Sequence, residues 1–202
     1  MPETEPVPLI PLLRDLDAID QVVYAAVAKA DTPALDVGLR RLSRAADHSK
    51  ISLTLAALLA LRPGRTRRAA LGGVAALGLA SATANLLGKR IVRRPRPNRV
   101  AAEVVTGRHV PMPASTSFPS GHTASAVAFA VAVGAGLPEA AFPLGVLAGA
   151  VGYSRVHTGV HYPGDVVAGS VLGATCAAAV TWAATRAATR SCRSLGRPAC
   201  RG

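Results

Sequence analysis

At 202 residues, half of them apolar and only 3% aromatic, the chain is long enough for one compact unit and too short for two developed domains. The formal charge of +12 does not read as a nucleic-acid face, because the 23 basic residues sit between apolar blocks rather than beside aromatics on a polar helix. Three cysteines, Cys176, Cys192 and Cys200, match no zinc spacing and give no disulfide framework.

Residues 1–16 carry four prolines and read as an irregular leader. Glu3, Glu5, Asp15 and Asp17 stand where a signal peptide needs a basic and then an apolar stretch, so insertion is expected to rely on internal segments. Residues 17–45 contain two amphipathic helices, expected at Ile19–Lys29 and Pro33–Ala46 and too polar to cross a bilayer. Val22, Val23, Ala26 and Val27 recur at helical spacing and predict a helix lying in the membrane interface.

A membrane core is expected over 46–185. Its first span, 46–61, starts among Asp47, His48 and Lys50 and is cleanly apolar only from Ile51 to Leu61. A short basic loop follows with Arg62, Arg65, Arg67 and Arg68, broken by Pro63 and Gly64. Residues 69–88, 122–137, 139–153 and 163–185 are nearly free of charge, and several approach the roughly 20 residues that a membrane-crossing helix needs. The fold class is therefore all-α, a polytopic helical bundle of five or six core helices with an interfacial N-terminal helix. Residues 186–202 form a basic tail.

Alternation of the spans puts the loops at 89–118 and 154–162 on one face, and the loop at 62–68 with the C-terminal tail on the other. Three segments converge on the first face: Lys89 with Arg96-Pro97, then Pro119-Ser120-Gly121-His122, then Ser154-Arg155 followed by His161 and Asp165. Lys89, Arg96 and Arg155 supply the fixed cations that a phosphoryl-transfer transition state needs, and arginine grips phosphate oxygens as a planar fork. Pro119 suits the first turn of a helix. Free N–H groups of Ser120, Gly121 and His122 at its start would point at the anion, with the Ser120 hydroxyl as a further donor. His161 has a carboxylate four residues on, so it is read as the nucleophile and Asp165 as its orienting partner. His122 is read as the acid that protonates the leaving oxygen and the base that later activates water. The cradle is complete without a metal or a cofactor, and none is expected.

These segments resemble the full signature of the type 2 phosphatidic acid phosphatase superfamily: Lys, six residues, Arg-Pro; Pro-Ser-Gly-His; Ser-Arg, five residues, His, three residues, Asp. All eleven specified residues occur here in order and spacing, within about 46–185. The resemblance implies a six-helix core and a metal-independent phosphatase. It also implies catalytic His161, His122 and Asp165, and phosphate ligands Lys89, Arg96, Ser120, Gly121 and Arg155. It further implies an active site facing away from the cytoplasm, which makes the C-terminal tail cytoplasmic and the loop at 62–68 the topological anchor.

The expected substrate is a lipid phosphate, with a polyprenyl carrier favoured (a polyprenyl-phosphoryl-pentose phosphate or a polyprenyl diphosphate), although phosphatidic acid fits the same cradle. Two other readings use the same residues: a non-catalytic lipid-phosphate binder or transporter, and a vanadate-dependent haloperoxidase. The remaining polar residues read as structural. Arg90, Arg93, Arg94 and Arg99 look like a solvated juxtamembrane face, His48, His109 and His157 like satisfied polar residues, and Ser117 like a helix N-cap. Tyr24, Tyr153, Tyr162 and Trp182 read as interfacial anchors, and Asn85 as a polar contact between helices.

Overall fold

Proline and serine set where the long helices begin. Ser120 caps one by accepting a hydrogen bond from the Thr123 N–H, and Pro138 and Pro163 open the next two, where a missing N–H costs nothing. The computed structural model describes residues 9–194, and no strand occurs among them. The helices are α1 (Leu9–Lys29), α2 (Pro33–Ala45), α3 (Lys50–Ala60), α4 (Arg65–Thr83), the single turn α5 (Lys89–Ile91), α6 (Gly121–Gly136), α7 (Pro138–His157) and α8 (Pro163–Ser194). A π-helical turn, Ala84–Gly88, joins α4 to α5, and a short 3-10 turn, Asp47–Ser49, joins α2 to α3.

Helices α4, α6 and α8 pack on one another, with α7 against α6 and α3 against α4. Their shared core is almost all alanine: Ala76, Ala80 and Ala84 of α4, Ala124, Ala128 and Ala132 of α6, and Cys176 and Ala177 of α8. Small side chains let backbones approach closely, which is how helices associate where no water can drive them together. A larger second cluster on the α3 side is built around Leu77, Phe129, Val133 and Leu137. Contact is very close at Gly169, where an added Cβ would stand 2.5 Å from the Ser120 carbonyl oxygen. Gly169→Ala is therefore expected to destabilise the protein by about 1–3 kcal/mol through overpacking. A melting curve in detergent checks this, with a clear fall in Tm as the expected result.

Two helices, Arg65–Ile91 and Pro163–Arg190, are long and apolar enough to cross a membrane. The apolar helix α6 has sixteen residues, about 24 Å at 1.5 Å per residue. Helix α8 has thirty-two residues, about 48 Å, well beyond a hydrocarbon core of about 30 Å. It continues through Arg186 and Arg190 to Ser194, so the basic segment expected as a tail from residue 186 is helical that far; the rest, 195–202, lies outside the described residues.

The leader needs a correction of the same kind. Helix α1 starts at Leu9, so residues 9–16 are helical rather than irregular. Pro11 falls in its first turn, where the N–H groups have no intrahelical partner in any case. Residues 1–8 lie outside the described residues. Helices α1 and α2 cover the site end of the bundle, packing on α7 and, for α1, on α8. Tyr24 of α1 is buried edge-on against Tyr162 at 5.4 Å between ring centroids, so it is a packing residue and not a surface anchor. Trp182, by contrast, is exposed, with the Arg186 guanidinium over its ring.

A buried ion cluster locks this cover down. Arg108 pairs with Asp36 of α2 at 2.8 Å and donates to the Val27, Ala28 and Ala30 carbonyls at the end of α1. Asp36 also bonds His157 at 3.0 Å. His157, bonded to Asp36 through Nε2, and His109, whose ring meets the Val104 carbonyl, hold structural contacts as the sequence pattern predicts, although His157 Nδ1 is buried without a protein partner.

Candidate active site

The segment between α7 and α8 turns on Gly159, held at φ +68, a left-handed conformation that favours glycine. The turn points His161 inward, where it is 2% exposed, and the first turn of α8 brings Asp165 beneath it. His161 Nδ1 lies 3.4 Å from Asp165 Oδ2, which leaves Nε2 on the chamber side, 3.4 Å from Arg96 Nη1. Asp165 is fully buried and well held. Its Oδ2 accepts from the Tyr162 N–H at 2.9 Å and from the Ser117 hydroxyl in a short hydrogen bond. Burial pushes the His161 pKa down from 6.5 to about 4, although the hydrogen bond to Asp165 acts in the opposite direction.

A lowered pKa keeps the imidazole uncharged at neutral and mildly acidic pH. Hence kcat/KM, once the substrate's own phosphate ionisation is subtracted, should hold level well below pH 6.5 and fall only as pH approaches about 4. A His161-dependent acid limb at pH 6 or above would contradict this.

Arg96 and Lys89 meet at Ser115. Arg96 donates to the Ser115 carbonyl at 2.8 Å and the Val160 carbonyl at 2.7 Å, and Lys89 Nζ donates to the Ser115 hydroxyl at 3.0 Å. Both line a chamber of about 230 Å³ together with Gly121, His122 and His161. The rest of its wall is mixed, with His48, Ser49, Ser81, Asn85 and Ser125 beside Pro113. Arg155 stands behind the chamber at 2% exposure, its Nη1 donating to the Ser43 hydroxyl at 2.7 Å and the Ser43 carbonyl at 3.2 Å. Its Nε is buried and has no protein partner.

Of the eight site residues read from the sequence, five (Lys89, Arg96, Gly121, His122 and His161) line the chamber, Arg155 and Asp165 are buried behind it, and Ser120 is turned away. Its N–H donates to the Asp165 carbonyl at 2.9 Å, and its hydroxyl is fully buried against Thr123. The cause is its place as the α6 N-cap, outside the helix together with Pro119. Ser120 therefore joins α6 to the Asp165 turn, and Gly121 and His122 are the residues of this segment on the chamber wall.

Several contributors carry no motif. Ser117, read as an N-cap, is instead fully buried against Asp165 and His161. Arg94, read as solvated, donates to Asp165 Oδ1 at 3.1 Å, to Asp20 at 2.6 Å and to Asp17 at 2.6 Å, and stacks over Tyr162. Asp20 in turn accepts from the Gly164 N–H. Arg94→Ala should loosen Asp165 and reduce kcat roughly 10-fold to 100-fold, as sub-ångström misplacement of a reacting group does, with little change in KM. Steady-state kinetics on the variant measure this.

An uncharged histidine backed by a buried carboxylate, facing fixed cations at a helix N-terminus, defines the fold and site as those of a helical phosphoryl-transfer enzyme. The chain belongs to the PAP2 superfamily, whose profile matches residues 69–188, and it is a phosphatase. It is 41% identical to the decaprenylphosphoryl-5-phosphoribose phosphatase of Mycobacterium tuberculosis over 161 residues, 79% of this chain and 86% of that protein. The protein of the same name from Mycolicibacterium smegmatis is 39% identical over 158 residues, 77% and 82% of the two chains. Among solved structures, Aquifex aeolicus LpxE superposes with a TM-score of 0.68 at 24% identity, covering 81% of this chain and 94% of its own.

Proposed function

We propose that this protein is a membrane phosphatase that hydrolyses the phosphomonoester of a polyprenyl-phosphoryl pentose phosphate through a phosphohistidine on His161. The observation that carries the mechanism is the His161–Asp165 pair, with Nε2 turned toward Arg96 and the chamber. Lys89, Arg96 and Arg155 hold the phosphate oxygens, helped by the N–H groups of Gly121 and His122. His161 Nε2 attacks phosphorus, the phosphorus–oxygen bond to the substrate breaks, and His122 gives its proton to the leaving oxygen. Water then attacks the phosphohistidine, His122 takes the water's proton, and the phosphorus–nitrogen bond breaks to release phosphate.

The pentose reading rests on two supports. The mycobacterial relatives carry that substrate in their names, and the chamber has room beyond the phosphate, with hydroxyl and amide groups from Ser81, Asn85 and Ser125 to meet a sugar. Membrane placement is supported by the two long apolar helices and by the exposed Leu16, Ile19, Val22 and Val23 on α1, a stripe suited to the interface. We place the chamber on the extracytoplasmic face, with five or six crossings and the basic end of α8 in the cytoplasm, because the loop at Arg62–Arg68 and Arg186 and Arg190 then follow the positive-inside rule.

The test is phosphate release in detergent from a panel containing a polyprenyl-phosphoryl pentose phosphate, a polyprenyl diphosphate and phosphatidic acid, with a chelator present. Preference for the pentose phosphate, undiminished by chelator, is expected. Equal rates on all three lipids would overturn the substrate assignment, and loss of activity with chelator would overturn the mechanism.

A further inference from the structure

A second carboxylate–histidine pair stands across the chamber from the first. His122 Nε2 lies 2.9 Å from Asp47 Oδ1, and the same oxygen is 3.6 Å from Arg155 Nη1. Asp47 opens the turn between α2 and α3, where His48 and Ser49 both adopt left-handed backbone, φ 57 each. Two consecutive residues with side chains in that region are held there only when their surroundings over-determine it, and such strain gathers at functional sites. Here the strained turn drops from the end of α2 and sets the carboxylate beside the helix that carries His122.

We propose that Asp47 is the positioning carboxylate for His122: it fixes the ring, holds the proton on Nε2, and steadies the imidazolium that donates to the leaving oxygen. With Nε2 committed to Asp47, the proton transferred to the leaving oxygen comes from Nδ1, and in the second step Nδ1 takes the proton of the attacking water. The balance of bonds is that of the two-step reaction above; Asp47 neither gains nor loses a proton. The need for it follows from the surroundings. Lys89 from α5, Arg96 from the long loop, and His48 and His161 line the same chamber as His122, and Arg155 from α7 stands behind it 3.6 Å from Asp47, while Asp165 of α8 is engaged with His161 and Arg94. Asp47 is the carboxylate that touches His122, and a cationic imidazole among cations needs an adjacent anion.

This inference rests on the assignment of His122 as the acid, and the test separates the two. Asp47→Asn, Asp47→Glu, His122→Ala and the double variant Asp47→Asn/His122→Ala are compared by kcat/KM on the lipid phosphate, whose alkoxide leaves poorly, and on p-nitrophenyl phosphate, whose leaving group needs no acid. Asp47→Asn is expected to lose roughly 30-fold to 100-fold on the lipid and less than about 5-fold on the aryl ester, in the range of general-acid contributions. Its alkaline limb should move to lower pH by about one unit, as loss of an adjacent anion destabilises the protonated imidazole. Asp47→Glu should recover part of the loss, and the double variant should be no worse than His122→Ala. Equal losses on both substrates with an unmoved pH profile, or additive losses in the double variant, would overturn the role of Asp47. Full activity in His122→Ala would instead overturn the acid assignment beneath it.

Discussion

Phosphate release falls by on the order of 10⁴-fold or more when His161 is replaced by alanine, the scale of loss seen when a covalent nucleophile is removed. The side chain is small in packing terms and sits in a turn fixed by other contacts: the His161 N–H donates to the Arg155 carbonyl at 3.2 Å, and Tyr162 and Gly164 are tied to Asp165 and Asp20. The variant should therefore fold and still bind a lipid phosphate through Lys89, Arg96 and Arg155. Retained binding with lost turnover, read by a binding isotherm beside an assay of released phosphate, is the expected pair of results. Binding and turnover lost together would mean that His161 is structural.

Arg155→Lys is the second large effect. Arg155 is buried, one end of its guanidinium is held by Ser43, and its Nε has no protein partner. A buried donor left unpaired costs about 1–3 kcal/mol, and an anion at the chamber removes that cost. Lysine keeps the charge but cannot serve Ser43 and a phosphate oxygen together through a planar fork. A fall of about 10²-fold to 10³-fold in kcat/KM is expected, as for loss of one preorganised donor to a developing charge. Inorganic phosphate should raise the Tm of the unchanged protein and not that of Arg155→Lys, and an equal rise in both would refute the assignment.

The site was legible where chemistry fixes spacing, and obscure where a side chain arrives from a distant element. His161 and Asp165 are four apart because a turn and the start of a helix must place one over the other, so sequence alone pairs them. Asp47, Asp20 and Ser43 come from the amphipathic helices and the turn after them, more than a hundred residues before His161. On a polar helix face a lone aspartate has the pattern of a solvated charge, and nothing in its spacing marks it as a partner. Arg94 is hidden for the complementary reason, as one of several arginines in a basic loop. Its identity as a buried link appears only when α1 folds back to bring Asp17 and Asp20 to it.

Two helix ends extend past the sequence pattern for local reasons. Proline tolerates a first helical turn, so the proline-rich start of α1 is helical from Leu9. Arginine and alanine are good helix formers, so a basic stretch after an apolar block continues α8 instead of ending it. Ser120 shows the limit of motif reading. Its place in the signature points to phosphate, and nothing in that spacing shows that it is also the N-cap whose N–H ties α6 to Asp165.

The central claim is a covalent phosphohistidine. Protein incubated with ³²P-labelled p-nitrophenyl phosphate, quenched in alkali and digested, should yield one labelled peptide carrying acid-labile, alkali-stable phosphate on His161. Label should build up further in His122→Ala, where hydrolysis of the intermediate lacks its base. Turnover of the unchanged protein with no phosphoenzyme at any quench time, or label on a residue other than His161, would contradict the account.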